Sequence, residues 1–153
     1  MNKEKIEERK ITLIGGAGFI GHNLALHLKS LGAEVSIIDS LQVNNLAYFS
    51  STSEEIVNRP LYLNILNERQ RLLKDSRIPT YIQDARDYQA LSRLINQIKP
   101  QVVIQLAAVS HANKSNKDPY STFDHSFRTL ENALDASRDR VTHFIYFSTS
   151  MVD

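Results

Sequence analysis

Four of the five glycines in this 153-residue chain fall within seven positions, Gly15, Gly16, Gly18 and Gly21, and all five lie before residue 33. Glycine is otherwise scarce, about half the usual ~7%. The cluster follows Ile11-Thr12-Leu13-Ile14, a short apolar run that reads as a buried strand. After it the period changes: Leu24, Leu28 and Leu31 recur at i, i+4 and i+7, and Gly32 follows as a C′ stop, which predicts a helix. Val35 to Ile38, ending at Asp39, predicts a second strand. Strand, glycine turn, helix and strand in about 30 residues make a βαβ unit, whose strands must run parallel.

The turn reads as G-x-x-G-x-x-G from Gly15 and as G-x-G-x-x-G from Gly16. Such glycines permit a tight turn, let backbone N–H groups approach a pyrophosphate, and bring the helix close to the sheet. The helix N-terminus then faces the phosphate charge. Asp39 stands 18 positions past Gly21, close to the ~20 expected of the acid that binds ribose hydroxyls. Its carboxylate would repel a 2′-phosphate, and neither Ser40 nor Leu41 is basic, which favours NAD over NADP. A P-loop is rejected because Gly21 is followed by His22-Asn23 and not by Lys-Ser/Thr.

The remaining chain predicts more alternation. Pro60 opens a helix with Ile65, Leu66, Arg69, Leu72 and Leu73 on one face, and Thr80–Gln83 is a third strand. Asp87 caps a helix carrying Leu91, Leu94, Ile95 and Ile98, stopped by Pro100. Gln101–Leu106 is a fourth strand. Asp118-Pro119 opens a helix whose predicted buried stripe is Phe123, Phe127, Leu130 and Leu134, and His143–Phe147 is a fifth strand. The expectation is an α/β fold, a Rossmann-like doubly wound parallel sheet in order 3-2-1-4-5, forming one domain over 1–153. Its ligand site would lie beyond the carboxyl ends of the strands.

Composition excludes several classes. Eighteen Lys and Arg against 17 Asp and Glu leave +1, which offers no footprint for nucleic acid. No apolar run approaches the ~18 residues that span a bilayer, so no membrane partner is expected. The first ten residues carry seven charges and no apolar stretch, predicting a cytoplasmic protein without a signal peptide. With no cysteine, thiolate zinc and cysteine catalysis are excluded. His22 and His27 are five apart, off the i, i+4 spacing of a metal pair, and no metal site is predicted.

Together these segments resemble the extended short-chain dehydrogenase/reductase family, the NAD-dependent nucleotide-sugar epimerases and dehydratases, from Ile11 to Val152. Gly15–Gly21 matches the family turn, with Ile14 where threonine is usual. Asp84-Ala85-Arg86-Asp87 is similar to the D-x-R-D after strand 3, and Leu106-Ala107-Ala108 to the H-x-A-A segment, with Gln105 replacing histidine. Phe147–Val152 is similar to the strand-5 motif S-S/T-x-x-V-Y-G, which ends here on Asp153. The resemblance implies a cofactor-binding set of Gly15, Gly18, Phe19, Ile20, Gly21, Asp39, Ser40, Asp84, Ala85, Leu106, Ala107 and Ala108. Asp84 and Ala85 would flank the adenine, and Leu106–Ala108 would line the nicotinamide-side ribose.

Thr149 takes the place of the catalytic hydroxyl that hydrogen-bonds the reacting sugar oxygen. The family's Tyr-x-x-x-Lys does not occur: Tyr120 and Tyr146 are followed four positions on by Asp124 and Ser150. The C-terminal substrate domain is expected to be absent, and the isolated chain to be catalytically silent. Hydride transfer between a nucleotide-sugar substrate and NAD is the implied chemistry; a non-catalytic dinucleotide-binding module, a sensor or subunit, is the alternative. His111, Asn113 and Lys114 after strand 4 either meet a sugar diphosphate or form a solvated loop. Ser126 stands where the family often carries asparagine near the cofactor. Strand 5 would be an open apolar edge, which invites association such as a homodimer.

Overall fold

A computed structural model describes residues 6–43, 45–53, 55–108 and 118–148. Five strands, β1 (Lys10–Ile14), β2 (Glu34–Asp39), β3 (Thr80–Ile82), β4 (Val102–Gln105) and β5 (His143–Tyr146), form one sheet in order β3-β2-β1-β4-β5. All neighbours are parallel, with Ile11 opposite Val35 on one side and Val102 on the other. The expected order and the parallel sheet are both present.

The helices are α1 (Phe19–Ser30), α2 (Leu46–Ser51), α3 (Arg59–Asp75), α4 (Tyr88–Ile98), α5 (Pro119–Phe123) and α6 (Thr129–Ser137). Successive strand residues point to opposite faces. Ile11, Leu13, Val35, Ile37, Val102 and Ile104 therefore pack with Ala25 and Leu28 of α1 and Leu73 of α3. Ile14, Ile38 and Val103 pack on the other face with Leu91 and Ile95 of α4 and Ala133 and Ala136 of α6. Thr12 and Ser36, opposite each other in register, are both buried and satisfy one another through a 2.8 Å hydroxyl contact. Gly32, at φ +88°, ends α1 in the left-handed conformation that its predicted role requires. Asp87 and Asp118 cap their helices by accepting the N–H groups of Ala90 and Ser121.

Two predicted faces need correction. Ile65 does not belong to the buried face of α3, which is formed by Leu66 and Leu73; Ile65 is exposed. The larger correction concerns the stripe Phe123, Phe127, Leu130 and Leu134. Phe123, Phe127 and Leu134 are exposed and Leu130 is half-buried, while Thr129, Ala133, Ala136 and Ser137 are buried. The reason is a π-helical turn over Asp124–Arg128 between α5 and α6. Its wider turn interrupts the 3.6-residue phase, and the face of α6 that packs inward carries the small residues Thr129, Ala133, Ala136 and Ser137. Phe123 and Phe127 stack on one another instead, 5.4 Å apart. β5 pairs with β4 alone among the described residues, leaving it at the sheet edge with Tyr146 exposed.

The closeness of α1 to the sheet depends on Gly21. A Cβ there would sit 2.5 Å from the Cα and carbonyl oxygen of Gly16, which are backbone atoms of the same turn. Gly21→Ala is expected to destabilise the protein by about 1–3 kcal/mol through overpacking, read as a melting temperature several degrees below that of the parent protein.

Candidate functional site

Parallel strands bring the segments after β1, β2, β3 and β4 to one end of the sheet, so four stretches distant in sequence meet there. The glycine turn is held from two sides. The Gly15 N–H donates to Ile38 O at 2.8 Å, and the Leu106 N–H donates to Ile14 O at 2.8 Å, extending both ladders past the strands. Gly15 has φ +77°, and a Cβ on it would stand 2.5 Å from Ala107 N. The segment Leu106-Ala107-Ala108 therefore lies directly against the turn, and side chains are excluded at Gly15 by both backbone conformation and contact.

Asp39 ties β2 to the same turn. Its Oδ2 accepts the Ala17 N–H at 2.9 Å and its Oδ1 accepts the Leu41 N–H at 2.7 Å. Burial pushes its carboxyl above the usual aspartate range, and the two N–H donors offset only part of that rise. A half-buried carboxylate at this place stabilises the turn through its acceptors while carrying a desolvation penalty. Ser40, half-buried, follows it at the rim.

Gly18 differs from its neighbours. A Cβ on it would meet only Gly15 O, at the ordinary distance of 3.6 Å, and its φ of −74° suits any residue. Nothing in the protein requires glycine there, so the space above it is available to a ligand. It precedes Phe19, Ile20 and Gly21, the first turn of α1, whose N–H groups have no intrahelical acceptor and present the positive end of the helix. A backbone turn whose first-turn N–H groups have no intrahelical acceptor, with open space over Gly18, is suited to an anion such as a pyrophosphate. Phe19 and Ile20 turn their side chains outward, both exposed.

After β3, Asp84 and Ala85 are held from both sides. The Asp84 carboxylate accepts the backbone N–H of Arg86 at 2.9 Å and that residue's guanidinium. Asn132 of α6 donates through Nδ2 to Ala85 O and Arg86 O, both at 2.9 Å. Burial raises the Asp84 pKa, but the Arg86 hydrogen bonds outweigh it and leave the group below the usual range. Arg86 continues to Asp124 in the π turn at 2.9 Å and to Gln42 Oε1 at 3.2 Å. Burial and the Arg86 charge lower the pKa of the adjacent His125.

Of the residues expected at the site, Gly15, Gly18, Phe19, Ile20, Gly21, Asp39, Ser40, Asp84, Ala85, Leu106, Ala107 and Ala108 all lie in the four segments at this end of the sheet. Thr149 and the His111, Asn113 and Lys114 loop lie outside the described residues. Asn45 was not foreseen. It is buried, donates through Nδ2 to Ala17 O at 3.1 Å and accepts the Leu46 N–H at 2.8 Å as the cap of α2. One side chain thus anchors α2 to the glycine turn; the cap-like Asn before Leu46 was the available signal. At β4, Gln105 is buried and donates through Nε2 to Ala107 O at 3.2 Å and to Thr129 Oγ1 at 3.3 Å, fixing the segment after the strand. A hollow of about 500 Å³ lies elsewhere, between the end of α3 and the amino end of β3, and is lined by Lys74, Arg77 and Thr80. It contains none of the residues expected at the site. Among the described residues no helix is long and apolar enough to cross a membrane.

Comparison with known proteins agrees with this geometry. Residues 11–152 match the NAD dependent epimerase/dehydratase family. A dTDP-D-glucose 4,6-dehydratase of Dictyostelium discoideum is 26% identical over 154 residues, covering 99% of this chain and 31% of the relative. A UDP-glucose 4-epimerase of Lacticaseibacillus casei is 28% identical over 140 residues, covering 92% of this chain and 35% of the relative. The chain therefore spans about a third of the length of these curated relatives. Among solved structures, a UDP-glucose-4-epimerase from Stenotrophomonas maltophila with bound NAD and formylated UDP-arabinopyranose shares the fold. Its TM-score is 0.71 at 21% identity, over 95% of this chain and 38% of that one.

Replacing Asn45 with alanine leaves the buried Ala17 carbonyl without its side-chain donor and removes the α2 cap. The expected loss of unfolding free energy is about 1–3 kcal/mol, measurable by denaturant titration.

Proposed function

The chain belongs to the NAD dependent epimerase/dehydratase family, and from that premise we propose that residues 1–153 are the NAD-binding part of a nucleotide-sugar epimerase or dehydratase. The observation that carries this reading is the open space above Gly18, bounded by the N-terminus of α1 and followed across the turn by the Asp39 carboxylate. In this reading the N–H groups of Gly18, Phe19 and Ile20 hold the pyrophosphate. Asp39 and Ser40 take the adenosine ribose hydroxyls, with acceptor capacity remaining on the Asp39 oxygens beyond the Ala17 and Leu41 N–H groups. Asp84 and Ala85 flank the adenine, while Leu106, Ala107 and Ala108 line the nicotinamide-side ribose.

When bound, NAD supplies a hydride acceptor for a sugar carbon. The chain's own share of the chemistry would be to hold the dinucleotide extended along the strand ends and to present the Thr149 hydroxyl to the reacting sugar oxygen. A general base is not among residues 1–153 in the family's form, because no tyrosine is followed four positions later by lysine. The second reading is a dinucleotide-binding module without chemistry of its own, a sensor or subunit. Both readings expect the 153-residue chain to bind NAD without turning over a UDP-sugar. Epimerase or dehydratase turnover by these residues alone would contradict both.

Calorimetric titration with NAD and NADP tests the cofactor reading, with saturable binding that prefers NAD as the expected result. Asp39→Ala should weaken NAD more than NADP, and equal or stronger NAD binding by that variant would overturn the assignment of Asp39. Gly18→Ala should leave the melting temperature within about 1–2 °C, because a methyl there meets only Gly15 O at an ordinary contact distance, yet lower NAD affinity at least tenfold by occupying the pyrophosphate space. Affinity should also fall on acidification, with a defined sign. Ribose hydroxyls need the ionised Asp39 as acceptor, so binding is full above its native pKa and is lost below it. Because burial raises that pKa, the loss should begin above the ordinary aspartate range, and Asp39→Asn should abolish that phase.

A further inference from the structure

The hollow of about 500 Å³ between the last turn of α3 and the amino end of β3 lies at the edge of the sheet opposite the glycine turn. Its size is that of a small-molecule site, and its lining has one chemical bias. Lys74, Arg77, Gln70 and Thr80 bring hydrogen-bond donors, Ile78 and Pro79 form an apolar wall, and no carboxylate lines it. Lys74 and Arg77 are exposed, and among the described residues neither side chain has an ion-pair or hydrogen-bond partner. The two acids of α3, Glu68 and Asp75, are already engaged, both with Arg71, at 2.5 and 2.6 Å. Two positive charges are therefore left uncompensated beside the hollow.

A second observation points the same way. Gln70 Nε2 is buried and has no hydrogen-bond partner, and buried donors are rarely left so. Rotation about the last bonds of that side chain brings the donor to an acceptor in the hollow. The floor is fixed by the backbone: the Ile78 N–H donates to Leu73 O at 3.0 Å, and the Ile37 N–H of β2 donates to Pro79 O at 2.9 Å. Ile78 is itself buried in the core with Leu73. Arg77 occupies the left-handed position that ends α3, at φ +55°, where glycine is the usual residue.

We propose that this hollow is a second anion site, separate from the glycine turn, that takes a phosphate group, either free or carried by a small monoester. Lys74 and Arg77 match the charge of a phosphate dianion, Gln70 and Thr80 add directed donors, and Ile78 and Pro79 leave an apolar surface for an organic substituent. The hollow shares no residue with the dinucleotide site, so the inference stands apart from the cofactor reading. Basic side chains at a helix C-terminus also complement its dipole, and the variants below separate that structural role from binding.

The experiment is an amide NMR titration of the protein with inorganic phosphate and with glycerol phosphate, against sodium chloride at equal ionic strength. Saturable shifts of residues 70, 74, 77, 78 and 80 are expected, with a Kd of about 1 mM or tighter. Tighter binding of glycerol phosphate identifies a monoester as the ligand; equal or weaker binding identifies free phosphate. Lys74→Gln and Arg77→Gln should each weaken binding about fivefold or more. Arg77→Gly should raise the melting temperature, because glycine suits φ +55°, while weakening phosphate as much as Arg77→Gln does. Unchanged phosphate affinity in both Arg77 variants, whatever happens to stability, leaves these side chains only a role at the helix end and overturns the proposal. Shifts that sodium chloride reproduces, or phosphate shifts confined to residues 15–21, overturn it as well. Asp39→Ala should bind phosphate here as the parent does, so loss of the cofactor reading and loss of this site are told apart.

Discussion

One half-buried carboxylate organises the end of the sheet. Asp39 accepts the Ala17 N–H from the glycine turn and the Leu41 N–H from its own strand end, so the turn after β1 takes its shape from a residue on β2. Other contacts follow from that placement. Asn45 reaches Ala17 O from the far side, Gly15 presses on Ala107, and Gly21 lets α1 approach Gly16. Parallel pairing makes this convergence unavoidable, because every carboxyl-terminal strand end emerges on the same edge of the sheet. The chemistry-bearing segments meet there for a topological reason before any ligand is considered.

The arrangement carries an energetic penalty. Burial raises the Asp39 pKa, so the native state holds a proton on that group more tightly than the unfolded chain does. Ionised Asp39 therefore subtracts from stability near neutral pH, and the penalty disappears as pH falls through the native pKa. Asp84 behaves in the opposite sense: the Arg86 hydrogen bonds outweigh its desolvation, so ionisation is favoured in the native state. Its contribution is present above the unfolded pKa and is lost as pH falls through the lower native one. Two carboxylates at one end of the sheet thus differ in how they are held, one by backbone N–H groups and one by a guanidinium.

Much of this was legible in the amino-acid order, and the parts that were not have physical causes. The apolar runs of β1, β2 and β4 are buried on both faces, so they read as strands without ambiguity. The glycine spacing and Asp39 sit within one local βαβ unit, where sequence separation is short and period changes are sharp. Residues 42–77 were harder. The short α2 buries no residue of its own and depends on the Asn45 cap and the Arg59 bonds to Phe49 O and Thr52 O. The stripe from Phe123 to Leu134 failed because a π turn interrupts the regular period and α6 buries its small residues Thr129, Ala133, Ala136 and Ser137 in place of its leucines. Arg86 was visible as part of a short motif, but its reach to Asp124, 38 positions away, exists only in three dimensions.

The central claim is that the glycine turn, shaped by Asp39, is the place where a dinucleotide binds. The most direct measurement is a two-dimensional amide NMR titration of the protein with NAD. The account predicts that the largest shifts fall on residues 15–21, 39–42, 84–86 and 106–108, with the Gly18, Phe19 and Ile20 amides moving most. Shifts confined to the hollow lined by Lys74, Arg77 and Thr80, with residues 15–21 unmoved, would contradict it.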